Sequence, residues 1–153
     1  MNRHIARTTL GITLCSMLLG VAQAAPQAGG CSTSDVAGLW GYTSTGTIVS
    51  PSVGSFVAVG RVTLTVSGTF SGAQTTSVAG SFFEETVQGT YTVNSDCTGG
   101  AIVYVYHGTT LARTTGLHLV WDDHAQEMRA IFLTSGTAIT LVGRKISRDE
   151  EED

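Results

Sequence analysis

Basic residues are scarce in this chain, with 8 Lys and Arg against 12 Asp and Glu among 153 residues. Two of the eight, Arg3 and Arg7, lie at the extreme amino terminus, and the last five acids form the run 149–153. So few cations leave no basis for binding nucleic acid or an anionic membrane, both of which are recognised through clustered positive charge. Helical periodicity of useful length is missing too, and nothing after residue 24 is apolar over the ~20 residues that a spanning helix needs. There is no Cys-x-x-Cys, and His107, His118 and His124 lack the close one-face spacing of metal ligands, so no metal and no cofactor is expected. No nucleophile motif such as Gly-x-Ser-x-Gly surrounds any serine, which argues against a hydrolase.

What is present begins with a leader. Arg3 and Arg7 precede an apolar run over 10–21, and Ala22-Gln23-Ala24 places small residues where a signal peptidase inspects them. This reads as a signal peptide over 1–24, cleaved after Ala24, and as a periplasmic or secreted protein. Lipid attachment at Cys15 or Cys31 is disfavoured. Leu14 is too bulky for lipoprotein processing before Cys15, and Cys31 lies beyond the apolar run. Cleavage would leave 153 − 24 = 129 residues, a size for one domain. Of these, 25–35 read as an amino-terminal leader, 36–146 as the folded domain and 147–153 as a disordered acidic tail.

Removing the signal leaves two of the three cysteines, Cys31 and Cys97. In an exported chain a pair of cysteines reads as one disulfide, here tying the leader to the turn after a strand.

The body of the chain is a succession of short β-patterned segments with turn residues between them. They cover 36–44 with an extension towards 49, then 56–66, 69–78, 82–93, 101–106, 116–122, 127–133 and 137–146. In the second, Phe56, Ala58, Gly60, Val62, Leu64 and Val66 share one face. The third is Ser/Thr-rich and reads as solvent-exposed. About eight strands at this spacing predict an all-β, antiparallel up-and-down barrel, with a β-sandwich as the alternative. Closure is favoured because it removes exposed edges, and strand glycines at 41, 60, 72, 89 and 143 suit a tightly coiled sheet.

Gly38-Leu39-Trp40 in the first strand and Arg144 in the last resemble the calycin pattern, in which such a tryptophan packs against a basic residue that closes the barrel. The longer set comprises Gly38-Leu39-Trp40-Gly41-Tyr42, Val59-Gly60-Arg61-Val62-Thr63-Leu64, the run from Gly89-Thr90-Tyr91-Thr92-Val93 through Asn94-Ser95-Asp96-Cys97-Thr98-Gly99, and Val142-Gly143-Arg144-Lys145. Together these resemble small exported bacterial β-barrel proteins of uncharacterised function whose barrel is similar to that of allene oxide cyclase. The resemblance implies a lumen that holds an apolar substrate. It carries no catalytic residue onto this chain.

Candidate site residues follow from strand phase. Glu85 shares a side with Phe83 and Val87; facing inward, it would have a raised pKa and serve as a general acid or base, and at a rim it would simply be solvated. Tyr104 and Tyr106 point the same way and form the candidate ligand-binding pair in the lumen or at its rim, with Tyr91 as a third. Cys31, Cys97, Trp40 and Arg144 are the structural candidates. The function expected is binding of a small apolar or aromatic ligand inside the barrel. The alternatives are a cyclase or isomerase in the same cavity and a protein-binding, inhibitor-type barrel; a homodimer through a sheet face is left open.

Overall fold

The computed structural model describes residues 30–122 and 124–146. The expected signal peptide over 1–24, residues 25–29 of the leader and the acidic tail over 147–153 lie outside the described residues. Eight strands, each antiparallel to both neighbours, form one closed barrel in the order β1 to β8. They are β1 (Gly38–Ile48), β2 (Gly54–Leu64), β3 (Thr69–Val78), β4 (Ser81–Val93), β5 (Thr98–His107), β6 (Thr110–Asp122), β7 (Glu127–Phe132) and β8 (Thr137–Lys145). The sheet closes where β1 pairs with β8, from Trp40 opposite Lys145 to Ile48 opposite Thr137. The sandwich alternative is therefore set aside.

Alternation along each strand decides what faces in. Tyr42 and Ser44 on β1, Val62 and Leu64 on β2, Val87 and Tyr91 on β4 and Leu117, Leu119 and Trp121 on β6 are all buried. Large and small side chains alternate around the wall: the register sets Ala101 between Tyr91 and Leu117. Gly60 serves the same fit, since a Cβ there would stand 2.6 Å from Tyr42 Oη.

One end of the barrel is plugged by a single helical turn, α1 (Thr33–Val36), whose Val36 is fully buried. Trp40 Nε1 donates to the Val36 carbonyl at 2.8 Å, and Lys145 Nζ donates to the Asp35 carbonyl at 2.8 Å. The Cys31–Cys97 disulfide fixes the segment before α1 to the β4–β5 turn. At the opposite, far end lie the turns that join β1 to β2, β3 to β4, β5 to β6 and β7 to β8.

Several expectations about the strands are corrected, among them β2, which begins at Gly54 and not at 56, and β5, which begins at Thr98 and not at 101. Val36 belongs to α1, and β1 starts two residues later. Val66 lies beyond the end of β2 and is exposed, so it does not extend the apolar face. β6 begins at Thr110 and not at 116, which brings Arg113 and Thr115 onto the barrel wall. The basic residue on the Trp40 face also differs from Arg144. Alternation sends Arg144 outward, 70% exposed and 3.8 Å from Glu127, and it is Lys145 that stands opposite Trp40 and reaches over the plugged end.

Candidate functional site

β3, β4, β5 and β6 together hold a polar cluster in the far half of a largely apolar lumen. Its centre is Glu85, whose side chain is wholly buried. Oε2 accepts from Gln74 Nε2 at 2.6 Å, Thr76 Oγ1 at 2.7 Å and Arg113 Nη2 at 2.7 Å. Oε1 accepts from Arg113 Nη1 at 2.5 Å and lies 2.8 Å from His107 Nε2. Gln74 extends the chain of contacts, because its Oε1 accepts from Tyr42 Oη at 2.7 Å. The guanidinium also lies over the Phe56 ring at 6.0 Å, and His107 stacks on Phe83 with ring centroids 5.1 Å apart. The Arg113 and His107 side chains keep 33% and 43% of their surface in solvent, so the cluster runs from the lumen to the far rim.

The electrostatics differ from the sequence expectation. Burial pushes the Glu85 carboxyl up, as anticipated for an inward acid, but the Arg113 guanidinium and the Gln74 and Thr76 donors outweigh it. They hold the pKa at about 2, below the ordinary 4.5. Glu85 is thus an ionised, internally paired carboxylate, and the expected raised pKa is corrected. Tyr42 moves the opposite way: burial first, and then the Glu85 charge, raise its phenol. Burial also raises Tyr91, whose hydroxyl donates to the Thr65 carbonyl at 2.5 Å.

Between this cluster and the plugged end lies a cavity of about 70 Å³. Its wall is mainly Val, Leu, Phe and other apolar side chains, with Tyr42, Gln74 and Arg113 towards the far end and Tyr91, Trp121 and Met128 towards α1. Water needs roughly 10–15 Å³ of such space, and a drug-sized ligand several hundred, so the volume suits a molecule of only a few heavy atoms.

The candidates read from sequence divide accordingly. Glu85 and Tyr91 face the lumen. Tyr104 is exposed on the outer wall, and Tyr106 shares that face, its hydroxyl 3.3 Å from Gln88 Nε2. Of the two places expected for the pair, the lumen or its rim, the lumen is corrected: Val103 and Val105 face inward there instead. Tyr104 lines only a shallow outer depression with Gln88 and Thr90. Of the histidines, His107 joins the cluster, and His118 is on the exposed face of β6. Sequence reasoning missed Gln74, Thr76, Arg113 and Trp121 as site residues. The signal available for Gln74 and Thr76 was their shared phase on β3.

No protein-family model, no curated protein and no solved structure matches this chain. Among the described residues no helix is long and apolar enough to cross a membrane, which together with the disulfide is compatible with an exported protein.

Proposed function

We propose that this chain is an exported binding protein, periplasmic or secreted, that encloses one small, largely apolar molecule in its barrel. The observation that carries this reading is the apolar cavity between a plugged end and a polar cluster, since concave apolar walls with a few convergent polar groups are what ligand sites are built from. The resemblance to allene oxide cyclase-like barrels belongs to the same proposal, because those barrels also enclose an apolar molecule. Cyclase or isomerase chemistry through Glu85 has less support. A carboxyl held near a pKa of 2 is a weak base and is not protonated near neutral pH, and five contacts already saturate its oxygens.

The test is a native mass spectrum of the protein isolated from the exported fraction, repeated after denaturation. Extra mass that is lost on denaturing, and that is absent from an Ala101→Leu variant with a filled lumen, supports the reading. A bare mass that stays unchanged after incubation with an apolar extract would overturn it and favour a barrel that works through its outer surface.

A further inference from the structure

Trp121 closes the lumen near α1, and its position follows from the sequence. It continues the inward series Leu117, Leu119 on β6, and it lies against Gly99, where a Cβ would come within 2.7 Å of the indole ring. Tyr91 flanks it at 6.4 Å between ring centroids. Trp121 is only 3% exposed, and its Nε1 is a buried donor with no hydrogen-bond partner among the described residues. A buried N–H without a partner is costly, so a native barrel that keeps one needs a reason. The other tryptophan makes the contrast: Trp40 Nε1 is satisfied by the Val36 carbonyl.

At the opposite end of the cavity the cluster side chains are paired with one another. The Glu85 oxygens take five contacts, and Gln74 uses both its amide nitrogen and its oxygen. Glu85 and Arg113 also neutralise each other, so a charged ligand would find no counter-charge in the remaining wall.

We infer that the lumen takes a neutral molecule of a few heavy atoms carrying one hydrogen-bond acceptor, a ketone, aldehyde or ether oxygen, which seats on Trp121 Nε1 at the plugged end with its apolar remainder towards the Glu85 cluster. This rests on the ligand-binding reading above and gives the ligand its chemistry and orientation. The acceptor satisfies a buried donor that has no partner among the described residues, and the apolar part meets the Val and Leu side chains of the wall.

The experiment uses a shape-matched pair of probes, butan-2-one and 2-methylbut-1-ene, which differ by an oxygen in place of a methylene. Each is titrated into the ¹⁵N-labelled protein, with lumen entry read from the methyl resonances of Leu117, Leu119 and Leu141. The Trp121 indole N–H is assigned through its proximity to the Tyr91 ring, and Trp40 serves as the internal control. The ketone is expected to move the Trp121 N–H downfield while the alkene leaves it in place. In Trp121→Phe, ketone affinity is expected to fall about tenfold with alkene affinity unchanged, the loss of one buried hydrogen bond. If that variant does not fold, the shift in the native protein decides alone. A ketone that perturbs the lumen methyls without moving the Trp121 N–H overturns the inference and leaves the ligand-binding reading standing. If neither probe enters, the lumen holds water at most, and the ligand-binding reading falls with the inference.

Discussion

Four side chains converge on the two oxygens of Glu85, and that convergence sets its charge more firmly than its burial does. Its pKa of about 2 in the fold lies below the 4.5 of an unconstrained glutamate, so the unfolded chain binds the proton more tightly. The stability this carboxylate contributes is therefore complete above about pH 4.5 and is lost as pH falls towards 2. Glu85→Gln should cost about 1–3 kcal/mol near neutral pH, because it leaves the partly solvated Arg113 without its counter-ion. It should also flatten the fall in stability between pH 4.5 and 2. Urea midpoints across that range check both, and an unchanged acid limb in the variant would show that other carboxylates govern it. Arg113→Leu makes the complementary case: with the guanidinium gone, burial acts on Glu85 with less opposition. Its pKa should rise from about 2 towards or beyond the ordinary value, as read by a ¹³C titration of the Glu85 carboxyl. A carboxyl that still titrates near 2 would mean that Gln74 and Thr76 suffice to hold it.

At the scale of elements, the succession of strands was legible, and which face of an ambiguous strand points inward was not. β3 and β7 were read within a residue of their observed bounds, and β4 within a residue at its start. β5 carries apolar or aromatic residues on both faces, Ala101, Val103 and Val105 on one and Ile102, Tyr104 and Tyr106 on the other. The smaller set faces in because Tyr91 and Leu117 already fill the lumen beside Ala101, a fact of neighbouring strands that one strand's pattern does not contain. The polar cluster was hidden for a related reason. Gln74 and Thr76 lie on a Ser/Thr-rich strand that resembles a solvated one, and Arg113 precedes the apolar part of β6, so only closure brings them to Glu85. The α1 plug is likewise a tertiary feature, one helical turn held by Trp40, Lys145 and the disulfide. Replacing Cys31 and Cys97 together by Ser should cost roughly 2–4 kcal/mol and lower Tm by roughly 10 °C, with the far-UV spectrum of the barrel retained. Collapse of the sheet signal at 25 °C would instead make the disulfide a condition of folding.

At the scale of the whole molecule, closure has a consequence for connectivity. Each of the eight described strands is hydrogen-bonded on both sides, and β1 and β8, the first and last of them, are paired along nine residues. Ile146 N also donates to the Leu39 carbonyl at 2.8 Å, so the two ends of the domain meet at the plugged end. No single turn is then needed to keep its two strands in the sheet, because each still pairs with its other neighbour. The β3–β4 turn is the place to test this. Ala79 and Gly80 both have positive φ, 48° and 88°, as a tight two-residue hairpin requires, and a Cβ on Gly80 would meet nothing within 4 Å. A circular permutant that opens the chain between Ala79 and Gly80, and joins residue 146 to residue 30 through a flexible Gly/Ser linker, should keep the barrel. Its Tm should fall by several degrees through loss of the Ala79 turn conformation, while the β3–β4 ladder from Thr69 opposite Thr90 to Val78 opposite Ser81 persists. A cooperative thermal transition, with amide protection retained along β3 and β4, is the expected result. A permutant without a cooperative transition would mean that this hairpin must form first for the sheet to close, and that local pairing rather than closure holds the barrel together.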